Sequence, residues 1–282
     1  MIDGHTHAIS AGRRAAGPLA GDIAIPAACT VEDLLGTLDA HGVERAVVVG
    51  VAGDEPYLAR CLRRHADRLT GIGLLRPEST ADPLEELRRQ VGDTGVRGVR
   101  LRGLGPAPER GIEESPLFPL LRHLEESGLP LWLLAQDARD ETLPRVLAAL
   151  PRLTVVLNHF GAAAPGAPAP GSRPGVPRLA CVGAAEIART RLLARYPNVH
   201  VLLSGQYAVS ADDPPYADLA AAARSLHEAY GTRRLIWGSD FPFVAGAAYA
   251  PQRDWVDLAL PHLPAPERAA VLGGNVARLF PG

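Results

Sequence analysis

Short apolar runs alternate with longer helical patterns along the whole chain. Most of the apolar runs are continuous, which is typical of parallel strands that are covered on both faces. Eight runs are found, at Ile2–His7, Arg45–Val51, Thr70–Leu75, Gly98–Arg102, Pro130–Ala135, Thr154–His159, Val199–Leu203 and Leu235–Asp240. The helical patterns between them cover Val31–His41, Tyr57–Ala66, Pro83–Val91, Leu117–Ser127, Glu141–Leu150, Arg178–Tyr196, Tyr216–Tyr230 and Pro251–Leu260.

Eight strand–helix repeats in series predict an α/β fold, a (β/α)8 TIM barrel. A doubly wound open sheet is the alternative fold. The chain has 282 residues, and barrels of this size fold as one unit, so we expect a single domain over residues 1–282.

Long strand-to-helix loops follow strands one, four, six and eight, whereas the helix-to-strand connections are short. In barrels the strand-to-helix loops build the face that carries the active site. The Pro- and Gly-rich segment Gly161–Pro177 is a candidate lid over this face, and an insertion without function is the alternative.

Composition and charge narrow the range of partners. The chain has 29 Lys+Arg against 31 Asp+Glu, and no basic run is interleaved with aromatic residues, so we expect no nucleic-acid ligand. No apolar run is long enough to span a membrane, and no signal peptide is visible. Cys29, Cys61 and Cys181 form no paired motif, which predicts reduced thiols and a cytoplasmic location.

Lysine is absent, and every Lys+Arg residue is therefore arginine. This excludes chemistry that depends on a lysine side chain: a Schiff base, a phosphate-loop lysine or a carboxylated lysine that bridges two metals. No GxSxG, GxxxxGK[ST] or complete GxGxxG motif is present after a strand, so serine-hydrolase, phosphotransfer and dinucleotide-binding sites lack support.

Histidines and one aspartate stand at the predicted strand ends. Asp3, His5 and His7 share one face of the first strand, since side chains two apart point the same way. His159 ends the sixth strand and Asp240 ends the eighth. Because the first and eighth strands are neighbours in a closed barrel, we expect Asp240 beside the His5/His7 pair. Each residue taken singly could be a hydrogen-bonded structural residue, but the joint pattern indicates a catalytic site.

Two arginines and a polar segment suggest substrate contacts. Arg100 and Arg102 share one phase of the fourth strand, and guanidinium groups bind carboxylates bidentately, so we expect a small anionic substrate. The alternative is that one pairs with a core acid and the other extends to solvent. Further candidates for hydrogen bonds to a substrate follow the seventh strand: Ser204, Gln206 and Tyr207. The alternative is a polar loop without substrate contacts.

Together these residues resemble the amidohydrolase superfamily. The likeness rests on DGHTH at the start, GVRGVRLR in the fourth strand, NHFG in the sixth, GSDFP in the eighth and the closing NVARLF. It is similar to the amidohydrolase-related (amidohydrolase 2) branch and, within it, to the group of 2-pyrone-4,6-dicarboxylate lactonase and sugar lactonases. The family fold is a (β/α)8 barrel, and its members are monomers or homodimers.

The resemblance implies a hydrolase that opens a lactone or similar cyclic ester or amide of a carboxylate-bearing molecule. Asp240 would take a proton from water, and His5, His7 and His159 would polarise the carbonyl. The resemblance leaves the cofactor open between none, as in the lactonase group, and one divalent ion, zinc, on His5, His7 and Asp240 with His159.

Two other hypotheses remain open at this point. One is a zinc-dependent decarboxylase of an aromatic or unsaturated acid. The decarboxylases of this branch carry a further histidine at the end of strand five, where this chain has Leu134. The other is a catalytically inactive barrel that acts as a binding protein, against which the complete set of three histidines and one aspartate counts.

Overall fold

The computed structural model describes residues 1–12, 29–134, 141–161, 182–244 and 249–280. Within these ranges, eight parallel strands form one sheet whose spatial order follows the chain order. This confirms the predicted (β/α)8 barrel. The strands are β1 Ile2–Thr6, β2 Arg45–Val49, β3 Leu69–Leu74, β4 Val99–Leu101, β5 Leu131–Leu133, β6 Val155–Leu157, β7 Val199–Leu203 and β8 Leu235–Trp237.

The barrel closes between β1 and the segment that follows β8. Thr6 pairs in parallel with Phe241. The His7 amide donates to the Phe241 carbonyl at 2.6 Å, and the Asp240 amide donates to the His5 carbonyl at 2.7 Å. The backbone at the end of β8 is therefore tied to the strand that carries the two histidines.

Helices pack outside the strands and agree with the predicted patterns to within a few residues, apart from the sixth. That pattern begins at Arg178, but residues 178–181 lie outside the described ranges, as does the candidate lid apart from Gly161. Three further short helices, Gln206–Val209, Ala265–Ala269 and Asn275–Arg278, were not predicted. The helices are α1 Val31–Ala40, α2 Glu55–Arg64, α3 Pro83–Thr94, α4 Phe118–Ser127, α5 Thr142–Ala149, α6 Ala184–Leu192, α7 Gln206–Val209, α8 Ala220–Tyr230, α9 Tyr249–Ala259, α10 Ala265–Ala269 and α11 Asn275–Arg278.

Local signals in the sequence set several helix boundaries. Thr30 caps α1 in a capping box with Asp33, in which each side chain is bonded to the other residue's backbone amide. The Asp82 carboxylate accepts from the first amides of α3, and α3 ends at Gly95 with φ 75°. A left-handed residue at this position ends a helix, and glycine adopts it without steric cost.

Strand residues alternate between two apolar layers. One phase faces the helices, and the other fills the barrel interior with Val47, Val49, Ile72, Trp132, Val156, Leu202 and Ile236. Val276 of α11 joins this interior cluster, and Leu279 and Phe280 pack against it. The interior is thus a packed core.

Within the described ranges no helix combines the length and the apolar character that a membrane span requires. Cys29 and Cys61 are both buried.

Candidate active site

Four side chains from three strand ends meet at one end of the barrel. His5 lies on β1 and His7 follows it directly, and their ring centroids are 5.2 Å apart. The His159 ring, which follows β6, lies 5.2 Å from the His5 ring by centroids. Asp240, which follows β8, places Oδ1 3.4 Å from His5 Nε2 and 3.3 Å from His7 Nε2. All four residues are at most 6% exposed, so the cluster is almost fully buried.

His159 and Asp240 have left-handed backbones. The φ angle is 50° at His159 and 63° at Asp240. This region is unfavourable for residues with a Cβ atom and is found most often where the surrounding structure enforces it, as at active sites. The chain turns sharply at these two points, which directs both side chains into the barrel mouth.

Gly205 makes room for this arrangement. Its φ is 67°, and a Cβ atom there would lie 2.4 Å from His159 Nδ1 and 3.4 Å from Asp240 Oδ2. A side chain at this position would therefore displace the His159 ring.

Asp240 is held through both oxygens. Oδ2 accepts a hydrogen bond from the Tyr207 hydroxyl at 2.7 Å, and Oδ1 faces His5 and His7. Burial opposes the charge of the carboxylate, but the attraction of the surrounding imidazoles, His5 first, outweighs it and holds the pKa of Asp240 well below its usual range. Asp240 is therefore ionised at neutral pH.

Ser204 links two of the imidazoles. Its Oγ lies 3.0 Å from His5 Nδ1 and 3.3 Å from His159 Nδ1. The Ser204 carbonyl is also 3.2 Å from His159 Nδ1. These contacts fix the orientation of both rings from β7, which lies between β6 and β8.

The tautomer of His7 follows from its partner. His7 Nδ1 lies 3.0 Å from the Val49 carbonyl oxygen, which can only accept, so Nδ1 carries the proton. In the neutral ring Nε2 then presents a lone pair, and it faces Asp240 Oδ1 at 3.3 Å. Two acceptors at this distance repel each other, so the pair readily takes up a proton or a cation between them.

Arg100 brings a positive charge into the same cluster. Arg100 is 7% exposed, and its Nη1 lies 3.4 Å from His5 Nε2, so the guanidinium donates to that nitrogen. Burial lowers the pKa of Arg100 to about 10, and it remains charged at neutral pH. Burial also lowers the pKa of His5 and of His159, so both imidazoles are neutral at pH 7.

The other residues suggested as substrate contacts lie in different surroundings. Arg102 is exposed at the end of β4, and Gln206 is fully buried with Nε2 donating to the Leu203 carbonyl at 3.3 Å. The contacts of Tyr207 with Asp240 and of Ser204 with two imidazoles were not foreseen, because sequence spacing shows where a side chain stands but not which partner it reaches.

The donor set fits one divalent cation. His5, His7 and Asp240 each offer a ligand atom, and these atoms lie within 4.8 Å of one another. Two imidazole nitrogens and one carboxylate oxygen are a ligand set that catalytic zinc uses, with a fourth position left open. His159, the fourth ligand suggested by the sequence, is not part of this group.

The match to known proteins covers the whole barrel. Residues 2–282 match the family model described as Amidohydrolase. The chain belongs to the amidohydrolase family. This amidohydrolase is 29% identical over 266 residues to L-fucono-1,5-lactonase of Burkholderia ambifaria, covering 88% of this chain and 84% of that protein. It is 26% identical over 258 residues to 4-sulfomuconolactone hydrolase of Hydrogenophaga intermedia, covering 88% and 78% of the two chains.

Solved structures show the same barrel. The amidohydrolase superposes on a putative 2-pyrone-4,6-dicarboxylic acid hydrolase from Pseudomonas putida with a TM-score of 0.72 and 28% identity, covering 99% of this chain and 96% of that one. A 2,6-dihydroxybenzoate decarboxylase from Rhizobium, with a TM-score of 0.65 and 16% identity, covers 99% and 97% of the two chains and shares the fold.

Proposed function

We propose that this amidohydrolase hydrolyses a lactone of a small carboxylate-bearing molecule, with water activated by Asp240. The observation that carries the proposal is the buried carboxylate of Asp240, whose Oδ1 faces the Nε2 atoms of His5 and His7 at 3.4 and 3.3 Å. The similarity to two lactone hydrolases over 88% of the chain supports the same reaction class.

Asp240 and His7 share the role of proton acceptor. A carboxylate whose pKa is held well below its usual range is by itself a weak base. The Nε2 lone pair of His7, 3.3 Å from Oδ1, offers a second acceptor for the same proton. As the water oxygen attacks the carbonyl carbon, its proton moves to Asp240 Oδ1 and is stabilised there by His7 Nε2.

Arg100 stabilises the charge that develops on the substrate. His159 Nδ1 lies 3.2 Å from the Ser204 carbonyl oxygen, which can only accept, so Nδ1 carries the proton and Nε2 of the neutral ring is an acceptor. The Arg100 guanidinium is therefore the donor available to the oxyanion. When the tetrahedral intermediate collapses, the ring C–O bond breaks and the leaving oxygen takes the proton held by Asp240.

A divalent ion would be held by the same atoms that share the water proton, Asp240 Oδ1 and His7 Nε2. His5, His7 and Asp240 are the residues that would hold the ion, and when bound it would lower the pKa of a water ligand to about 7. Arg100 already donates to His5 Nε2, which supplies positive charge at this point from the chain itself. We therefore propose that the reaction proceeds without a metal.

Decarboxylation has weaker support. The strand-five position where the related decarboxylases carry a histidine is Leu134. The Rhizobium decarboxylase is only 16% identical to this chain, so the likeness concerns the fold alone. The cytoplasmic location and the monomeric or dimeric state remain predictions from the sequence.

The Asp240→Asn variant tests the proposal on a panel of lactones. We expect kcat to fall about 10²- to 10⁴-fold, the usual contribution of a general base. Asparagine keeps the shape of the side chain and tolerates the left-handed backbone, so the variant should fold. Asp67→Asn, an exposed change of the same chemistry, is the control. Unchanged kcat in Asp240→Asn would remove Asp240 as the base, and a wild-type protein inert toward every lactone would favour the binding-protein hypothesis.

A further inference from the structure

Two exposed arginines stand at adjacent strand ends on the rim of the barrel mouth. Arg76 follows β3 and Arg102 follows β4, and these strands are paired with Leu74 opposite Arg100. The Arg76 backbone is extended, with φ −119° and ψ 91°, so the strand alternation continues through it. Arg76 therefore lies on the inward phase of β3, two residues beyond Leu74, as Arg102 lies two residues beyond Arg100.

Neither guanidinium has an acidic partner among the residues that the structure describes. Other arginines of the chain do pair, for example Arg68 with Asp39 at 2.7 Å and Arg89 with Glu86 at 2.6 Å. No carboxylate in the described ranges lies within 4.0 Å of Arg76 or Arg102. Two uncompensated positive charges at the edge of a cavity attract anions.

Arg100 adds a third positive charge, two residues before Arg102 and deeper in the barrel mouth. Its Nη1 is engaged at 3.4 Å by His5 Nε2, close to the reacting centre. The charge of Arg102 acts on Arg100, since it contributes, after burial, to the lowered pKa of Arg100. The three arginines thus form a gradient of positive charge from the rim to the imidazoles.

We propose that Arg76 and Arg102 form an anion subsite on the rim of the barrel mouth, which selects lactones with a carboxylate remote from the scissile bond. Neighbouring strands are about 4.8 Å apart, so two guanidiniums at their ends can reach one carboxylate. Each can donate two parallel N–H bonds to it. The inference rests on the proposed function for the identity of the bond that reacts, whereas the subsite itself depends on the two guanidiniums.

Calorimetric titration with citrate tests the subsite without turnover. We expect wild type to bind citrate and Arg76→Ala to raise its Kd about 10- to 100-fold, the usual value of a hydrogen bond between charged groups. Arg76→Lys keeps the charge but loses the bidentate geometry, and its Kd should lie between the two. Arg63→Ala, which removes the same charge from the exposed end of α2, is the matched control and should bind citrate as wild type does.

The result that overturns the inference is equal citrate affinity in Arg76→Ala and Arg63→Ala, or no saturable citrate binding by wild type. Equal thermal midpoints of the variants show that the effect is not a loss of folding. In kinetic assays, the preference for lactones with two carboxylates over lactones with one, as a ratio of kcat/KM, should fall at least about 10-fold in Arg76→Ala.

The two proposals fail separately. A protein that binds citrate through Arg76 but hydrolyses no lactone retains the subsite and loses the proposed function. A protein that hydrolyses lactones with the same dicarboxylate preference in wild type and Arg76→Ala retains the proposed function and loses the subsite.

Discussion

At the scale of single residues, the candidate active site depends on backbone conformations that side chains normally avoid. His159 and Asp240 are left-handed, and Gly205 between them in space has φ 67°. Strain of this kind costs about 1–3 kcal/mol per non-glycine residue and persists only where surrounding contacts enforce it. Here the Asp240 amide is bonded to the His5 carbonyl at 2.7 Å, and Ser204 holds the His159 ring.

The Gly205→Ala change adds only one methyl group but should strongly reduce activity. The new Cβ would lie 2.4 Å from His159 Nδ1, on a backbone that alanine adopts only with strain. We expect kcat/KM to fall at least about 10-fold, as misplacement of a catalytic group does, and the free energy of unfolding to fall by about 1–2 kcal/mol. Lactone kinetics and urea unfolding measure the two effects.

Gly92→Ala is the opposite case and serves as the control. Gly92 lies on the exposed side of α3, and a Cβ atom there meets nothing within 4 Å. Alanine in a helix should raise stability by about 0.5–1 kcal/mol and leave kinetics unchanged. If Gly205→Ala behaved like Gly92→Ala, close packing of His159 on β7 would not matter for the reaction.

The candidate residues were found from the sequence because strand periodicity and chain order place them at one end of the barrel. His5, His7, His159 and Asp240 follow from that pattern. Their hydrogen-bond partners do not, because Ser204 and Tyr207 reach across from the segment after β7, at a separation of 33 to 199 residues. Arg76, which belongs to the proposed anion subsite, could not be singled out from the sequence either, since an arginine after a strand is an ordinary solvent-exposed residue until its phase is known.

At the scale of elements, the strands were predicted well because their burial on both faces produces continuous apolar runs. Val199–Leu203 was predicted with both ends correct. The short helices were missed because they lack a clear apolar period. Val276 of α11 packs into the barrel interior, and Asn275 Nδ2 donates to the Leu235 carbonyl at 2.6 Å, so this segment is fixed by contacts with β8 that local sequence does not show.

β7 also carries a histidine at its other end, and this residue makes stability depend on pH. His200 lies on the inward phase of β7. Burial and the positive charges of Arg234 and Arg278 lower the pKa of His200 to about 4. In the unfolded chain the pKa is about 6.5. Between these values the unfolded chain binds the proton and the native protein does not, so stability is lost as pH falls from 6.5 towards 4.

His200→Gln should remove this dependence. Relative to the variant, wild type should lose up to about 3 kcal/mol of unfolding free energy between pH 7 and pH 4, since the pKa shift is about 2.5 units. Other titrating groups are common to both proteins and cancel in the difference. Urea unfolding across this range measures the difference in unfolding free energy between wild type and variant. This difference should be constant between pH 8 and pH 9, where His200 is neutral in both the folded and the unfolded chain. A difference that stays flat down to pH 4 would contradict the assignment.

At the scale of the whole molecule, closure of the barrel determines the chemistry. β1 and the segment after β8 are 236 residues apart at the contact of Asp3 with Ser239, yet the Ser239 amide donates to Asp3 Oδ1 at 2.9 Å. Closure brings Asp240 to the two histidines of β1 and leaves Arg100 opposite them. Eight parallel strands in chain order could be predicted from the sequence, but whether the cluster is filled by a proton, a guanidinium or a metal ion depends on distances of a few tenths of an ångström.

Removal of metal ions separates these cases. The fold rests on an extensive buried core, as expected for a chain of 282 residues, and Arg100 donates to the His5 nitrogen that an ion would need. We therefore expect dialysis against a chelator to change neither the thermal midpoint nor kcat for lactones, and added zinc to compete with the shared proton at Asp240 and His7. Metal analysis before and after dialysis is the control. Activity that disappears with the ion and returns with stoichiometric zinc would instead assign water activation to a cation held by His5, His7 and Asp240, and Arg100 would then serve the substrate alone.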